Sequence, residues 1–171
     1  LPAWQKPVGA TWIEVMNIPA LASSDDEPGL YVAAYGTSTG WAGALLQVSA
    51  DNGTSWADVT TVTETAVIGY STTALLAEPA GVPSVQALTV YLPEAPDSIT
   101  FEALLRYGNR ALLGDEIIQF QTVVELGSGL YQLAGLVRGL YATTAGDVAA
   151  KNVVVRAALP PEVRAKNVGD G

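Results

Sequence analysis

The strongest constraint on this chain is a period of two in its apolar residues, cut at short intervals by turn residues. Leu88, Val90 and Leu92 alternate with Thr89 and Tyr91, and Ile118, Phe120, Thr122 and Val124 alternate with Gln119, Gln121, Val123 and Glu125. Ile99, Phe101, Ala103 and Leu105 share one parity against Thr100 and Glu102. Successive side chains on a strand point to opposite faces, so this pattern suits half-buried strands. Turn signals fall between the runs: Asp51-Asn-Gly53, Pro93-Glu-Ala-Pro96, Gly108-Asn109, Gly127-Ser-Gly129 and Ala145-Gly-Asp147. Many short strands with regular turns predict an all-β fold, mainly antiparallel and sandwich-like, with very little helix.

The predicted strands are 11–18, 29–36, 43–50, 55–63, 66–72, 85–92, 98–106, 116–126, 130–137 and 152–158. Two hairpins stand out. One joins 43–50 to 55–63; the other joins 116–126 to 130–137 through Gly127-Ser128-Gly129, whose glycines supply positive φ. Single helical turns are expected near 145–151 and 160–166, the second after Pro160-Pro161. The Pro- and Gly-containing segment 76–84 is the expected internal boundary. It gives a first β lobe over 1–78, a second over 79–159 and a C-terminal linker or short helix over 160–171, unless the whole is one compact domain. A start rich in proline without Met, and an end in Val-Gly-Asp-Gly, read as a piece of a longer polypeptide.

Composition removes whole classes of chemistry. With no cysteine and no histidine there is no disulfide, thiolate zinc site, Ser-His-Asp triad or histidine switch. No catalytic, cofactor or metal residue is expected. Net charge is −9: residues 1–105 hold 11 acids and one base (−10), and residues 106–171 hold 6 acids and 7 bases (+1). That balance argues against nucleic acid, which needs clustered Lys and Arg. The acidic first half reads as a solvated surface; the alternative is a face that docks basic or cation-rich surfaces, through a contact that salt would screen. No run of 18 apolar residues exists, so no membrane span is expected, and the start lacks the pattern of a signal peptide.

Ser49-Ala-Asp-Asn-Gly-Thr-Ser-Trp56 has the spacing of an Asp box, a hairpin signature familiar from sialidases. Its parts suit a turn: Gly53 for the tight bend, Asp51 and Ser49 (with Ser55) for hydrogen bonds to local backbone, and Trp56 for a ring buried under the hairpin. No repeat of propeller length accompanies it. Carboxylates that a glycosidase would use are Asp51, Asp115-Glu116 and Asp25-Asp26-Glu27, the last group also a candidate for calcium. Asp115 and Glu116, adjacent on a strand, would point apart. Trp12, Trp41 and Tyr35 are candidates for glycan or partner contact; core packing is the alternative for these aromatics.

Several segments resemble one known family. They are Asn17-Ile-Pro-Ala-Leu21, Pro28-Gly-Leu-Tyr-Val-Ala-Ala34, Trp41 to Ser49 leading into the Asp-box turn, Asn109 to Phe120, and Gly129 to Gly139. Gly114-Asp-Glu-Ile-Ile-Gln-Phe120 followed by Gly129-Leu-Tyr-Gln-Leu-Ala-Gly-Leu-Val-Arg-Gly139 carries most of the likeness. This order is similar to the C-terminal β-rich region of bacteriophage tail-tip and baseplate proteins, and to the tail-tip protein of gene transfer agents, over roughly residues 10–145. The sequence departs from that pattern after Gly139, where Leu140-Tyr141-Ala142-Thr143 stands. The resemblance implies a structural domain in the virion tail tip, working in tip assembly and host attachment. It also implies contacts with other tail proteins, a homotrimer in the full-length assembly, and no catalytic residue in this region. A carbohydrate-binding module for host surface glycans is the alternative reading, and a glycoside hydrolase the third.

Overall fold

The computed structural model describes residues 9–21, 29–150, 153–156 and 164–166. The chain order is β1 (Thr11–Met16), β2 (Gly29–Gly36), β3 (Ala44–Val48), β4 (Ala57–Val62), β5 (Val67–Ser71), β6 (Leu88–Tyr91) and α1 (Phe101–Leu105). It continues with β7 (Arg110–Leu113), β8 (Glu116–Gln119), β9 (Thr122–Gly127), β10 (Leu130–Ala134), β11 (Val137–Leu140), β12 (Val153–Arg156) and β13 (Arg164–Lys166). Every described strand pairing is antiparallel. The fold is all-β, as the period of two predicts.

The chain divides into two compact units, 1–66 with 159–171, and 67–158. The division falls at Ala66, ahead of the predicted boundary in 76–84. The reason is pairing: β5 hydrogen-bonds to β6 and β12, which ties 67–71 to strands later in the chain. The predicted C-terminal linker or helix is likewise corrected at 164–166, where the backbone forms β13 against β2; residues 160–163 lie outside the described residues.

In the first unit β2 runs between β1 and β13. Being central, it buries four consecutive residues, Tyr31 to Ala34, on both faces. Tyr31 Oη accepts a hydrogen bond from the Leu21 amide at 2.9 Å, which gives the buried phenol a partner. β3 and β4 form the predicted Asp-box hairpin, Val48 opposite Ala57, with a bulge at Leu46/Gln47.

The second unit is one eight-stranded sheet in the order β11-β8-β7-β12-β5-β6-β10-β9. Its inner face supplies Leu88, Val90, Ala111, Leu113, Ile118, Tyr131, Leu133 and Val154 to a single core cluster. Leu75, Leu92, Phe120 and Leu136 join them from the connections. One sheet can gather residues from so many strands into one cluster only by curling around it. The Gly127-Ser128-Gly129 hairpin joins β9 to β10 as predicted, with positive φ at all three turn residues.

Local structure departs from the alternation at several points in this unit. Residues 98–106 have the pattern of a strand, yet Phe101–Leu105 is a helix. Thr100 caps it through Oγ1, which accepts the Ala103 amide, and Glu102 occupies the first turn. Leu104, of the other parity, is the buried residue, while Phe101 and Leu105 are exposed. The expected strand 116–126 is two strands. At the break the Phe120 amide bonds to Asn109 O and the Gln121 amide to Ala134 O, so the chain changes partners there. Residues 130–137 likewise break at Gly135 (φ 62), and β7 and β11 are strands that the alternation does not reveal. Residues 145–150 contain no helical turn; Val148 instead bridges to Leu75.

Candidate functional site

The Asp-box turn is built by short polar side chains folding back on their own backbone. Asp51 Oδ1 accepts the Ser55 amide and the Ser49 hydroxyl, both at 2.8 Å, and Oδ2 accepts the Ser55 hydroxyl at 2.7 Å. Ser49 Oγ in turn accepts the Gly53 amide at 2.7 Å, and Gly53 and Asn52 take positive φ. Trp56 corrects the prediction of a buried ring: it is 60% exposed. The ring lies near the turn at Gly53, and a two-stranded hairpin offers too little surface to bury an indole. Every hydrogen bond that Asp51 accepts comes from the turn itself.

These bonds, led by the Ser55 hydroxyl and amide and then Ser49, lower the Asp51 carboxyl from 3.8 to about 2. The folded value lies below the unfolded one. The clasp is therefore at full strength above pH 3.8 and is lost as pH falls through about 2. A carboxyl NMR titration is expected to place Asp51 near 2, with Ser55 amide exchange accelerating over the same window. An ordinary carboxylate midpoint would refute the clasp.

The aromatic candidates do not converge. Trp12 and Tyr35 are direct cross-strand partners on β1 and β2, so their side chains share a face. Trp12 is 39% exposed and its indole N–H donates to Glu14 Oε1 at 2.6 Å. Trp41 packs its ring over Gly36 and donates its N–H to Thr11 Oγ1 at 2.9 Å. Thr11 and Gly36 are the neighbouring register pair, on the opposite face. Trp41 is thus a clasp on the loop 37–40, half-buried, and it does not extend a platform with Trp12 and Tyr35. Asp25, Asp26 and Glu27 lie outside the described residues.

Asp115 and Glu116 separate as their adjacency predicts. Asp115 is exposed in the turn between β7 and β8, and Glu116 is buried. Glu116 meets Arg138, whose side chain is 0% exposed. Arg138 donates through Nε to Glu116 Oε1 at 3.0 Å and through Nη2 to Oε2 at 2.6 Å, a bidentate fork. Its remaining reach goes to backbone: Nη1 to Leu76 O and Nη2 to Gly146 O, each 2.6 Å. Glu116 Oε1 also accepts the Gly139 amide at 3.0 Å. Glu78 approaches more loosely, at 3.9 Å from Nη1, while its other oxygen takes Ser84 and Gln86.

This network ties two stretches of irregular backbone, around 76–86 and 146, to strands β8 and β11 of the sheet. Its partners are individually visible in the sequence: Arg138 suggests loop carbonyls or a carboxylate, and it takes both. What the sequence conceals is that Glu116 is the carboxylate. A pocket of about 440 Å³ opens beside the pair, with Asp115, Thr144 and Asp147 on its wall. Both Glu116 oxygens are engaged, and Asp147 Oδ1 accepts the Ala77 amide. Asp115, exposed on the same wall, has no hydrogen bond or ion pair among the described residues. Among the described residues no group of three metal-ligating side chains occurs, and no helix is long and apolar enough to cross a membrane.

The family model described as Rcc01698-like, C-terminal, matches residues 66–155, just over half of the chain and nearly all of the second unit. No curated protein matches the sequence.

Proposed function

The chain belongs to the Rcc01698-like, C-terminal family, and from that premise we propose that it is a structural domain of a tail-tip or baseplate protein. Its work is mechanical: holding part of the tip together, contacting neighbouring tail proteins and contributing to host attachment. The observation that carries this reading is how the matched segment uses its motif residues. Within 114–139 the polar residues Glu116 and Arg138 go into a buried clamp, and Phe120, Tyr131, Leu133 and Leu136 go into the core. The motif is spent on rigidity, which suits a part that transmits force and does no chemistry of its own.

Placement of the chain in the intact particle tests the proposal. Labelling through an epitope inserted at the Gly81 turn is expected at the tail tip of the assembled particle, in a three-fold arrangement. Signal elsewhere on the particle, or in no particle, overturns it. The carbohydrate-binding alternative through Trp12, Trp41 and Tyr35 is disfavoured by the opposite faces that Trp41 and the Trp12–Tyr35 pair occupy.

A further inference from the structure

Two loops of the second unit contain tyrosines at positions where glycine is the ordinary choice. Helix α1 ends in a Schellman motif: the Tyr107 amide bonds to Leu104 O and the Gly108 amide to Ala103 O, both at 3.0 Å. The residue after the C-cap must then be left-handed, and it is Tyr107, at φ 61. After β11 the Thr143 amide bonds to Leu140 O, closing a turn whose central residues Tyr141 and Ala142 have φ 54 and 62. Two positive φ values mark a type I′ turn, which favours Asn-Gly. A side chain with a Cβ is strained in this region.

The other left-handed residues have ready reasons. Asn52 and Ser128 sit in hairpin turns, and Asn109, of a type that tolerates the conformation, donates Nδ2 to Asp97 O at 2.6 Å. Burial in the core does not account for Tyr107, which is 56% exposed. Strain kept at an exposed aromatic points to use.

The two tyrosines meet. Their ring centroids are 5.8 Å apart at 44°, and Arg110 donates Nη1 to Tyr141 Oη at 2.9 Å with its guanidinium 6.0 Å from that ring's centre. Of the three arginines whose side chains are described, Arg106 pairs with Glu102 and Arg138 with Glu116, while Arg110 has no carboxylate within ion-pair distance among the described residues. Arg110 therefore keeps N–H groups beyond the one given to Tyr141, beside a pair of tyrosine rings.

We propose that Tyr107, Arg110 and Tyr141 form a binding site for an acidic saccharide. Arg110 takes the carboxylate in a planar fork, and the tyrosine rings stack on the apolar faces of the sugar. One unpaired cation beside two rings fits a ligand with one charge per ring. A glutamate-rich peptide fits less well, because it offers the tyrosines no apolar ring face to stack on. The site shares no residue with Trp12, Trp41 and Tyr35, and it stands whether or not the chain is placed in a tail tip.

The test is titration of the whole chain, followed by NMR, with oligogalacturonate, its methyl ester, sialyllactose, lactose and a glutamate-rich peptide. At least one carboxylated sugar is expected to bind, with at least tenfold weaker binding of its uncharged counterpart. Arg110→Gln is expected to weaken binding at least tenfold at unchanged melting temperature. Tyr107→Gly is expected to melt higher, by release of the left-handed strain, and still to bind more weakly; a purely structural tyrosine would not give that opposition. No binding of either acidic sugar overturns the proposal, as do equal binding of the ester, tighter binding of the peptide, or unaltered binding by Arg110→Gln.

Discussion

Arg138→Met is expected to destabilise the second unit by about 3–5 kcal/mol, because it strands Glu116 as a buried carboxylate without its counter-charge. The carbonyls of Leu76 and Gly146 and both Glu116 oxygens would lose their Arg138 donors together, Oε1 keeping only the Gly139 amide. A domain is stable by only about 5–15 kcal/mol, so a large share of the total is at risk. Denaturant unfolding of the single variants and of the pair Glu116→Leu with Arg138→Met checks this. The double replacement is expected to be less damaging than Arg138→Met alone, since it removes both charges and leaves neither orphaned. Equal stability of Arg138→Met and the parent chain would show that the clamp is solvated and that the buried geometry is wrong.

Gly69→Ala is expected to cost about 3 kcal/mol, at the upper end for overpacking a core. Gly69 is buried on β5 opposite Val154 of β12. A Cβ there would land on the Tyr91 carbonyl oxygen and sit 2.9 Å from Leu92 Cδ2. Backbone at the end of the neighbouring strand would have to give way, and that strand carries the buried Leu88 and Val90, with the buried Leu92 directly after it. Thermal unfolding reads the effect. A neutral Gly69→Ala alongside a costly Arg138→Met would place β5 further from β6 than the register of Tyr70 with Tyr91 requires.

Most strands are legible because burial of one face imposes a period of two, and turn residues interrupt it where pairing stops. The Asp-box turn is legible for a related reason. Its hydrogen bonds span only two to four residues, so spacing alone specifies them. The run 98–106 misleads because alternation and amphipathic helix agree over short windows. Thr100 as a cap and the helix-forming Glu-Ala-Leu-Leu are the better signals. Trp56 misleads because a large apolar residue in a motif suggests burial, whereas burial depends on what the rest of the chain places above it.

By itself, then, the sequence determined strand chemistry, the two hairpins, the absence of histidine and cysteine chemistry, and a likeness concentrated in 114–139. Tertiary structure decided that Glu116 faces Arg138 across 22 residues of chain. It also decided that β12 enters between β5 and β7, that Trp41 clasps Gly36, and that Tyr107 and Tyr141 converge on Arg110. The physical reason is range. Hydrogen bonds and alternation within a turn or strand are encoded by neighbours in sequence. The pairing of distant strands, and of the charges they carry inward, is fixed only when the whole sheet closes on its core.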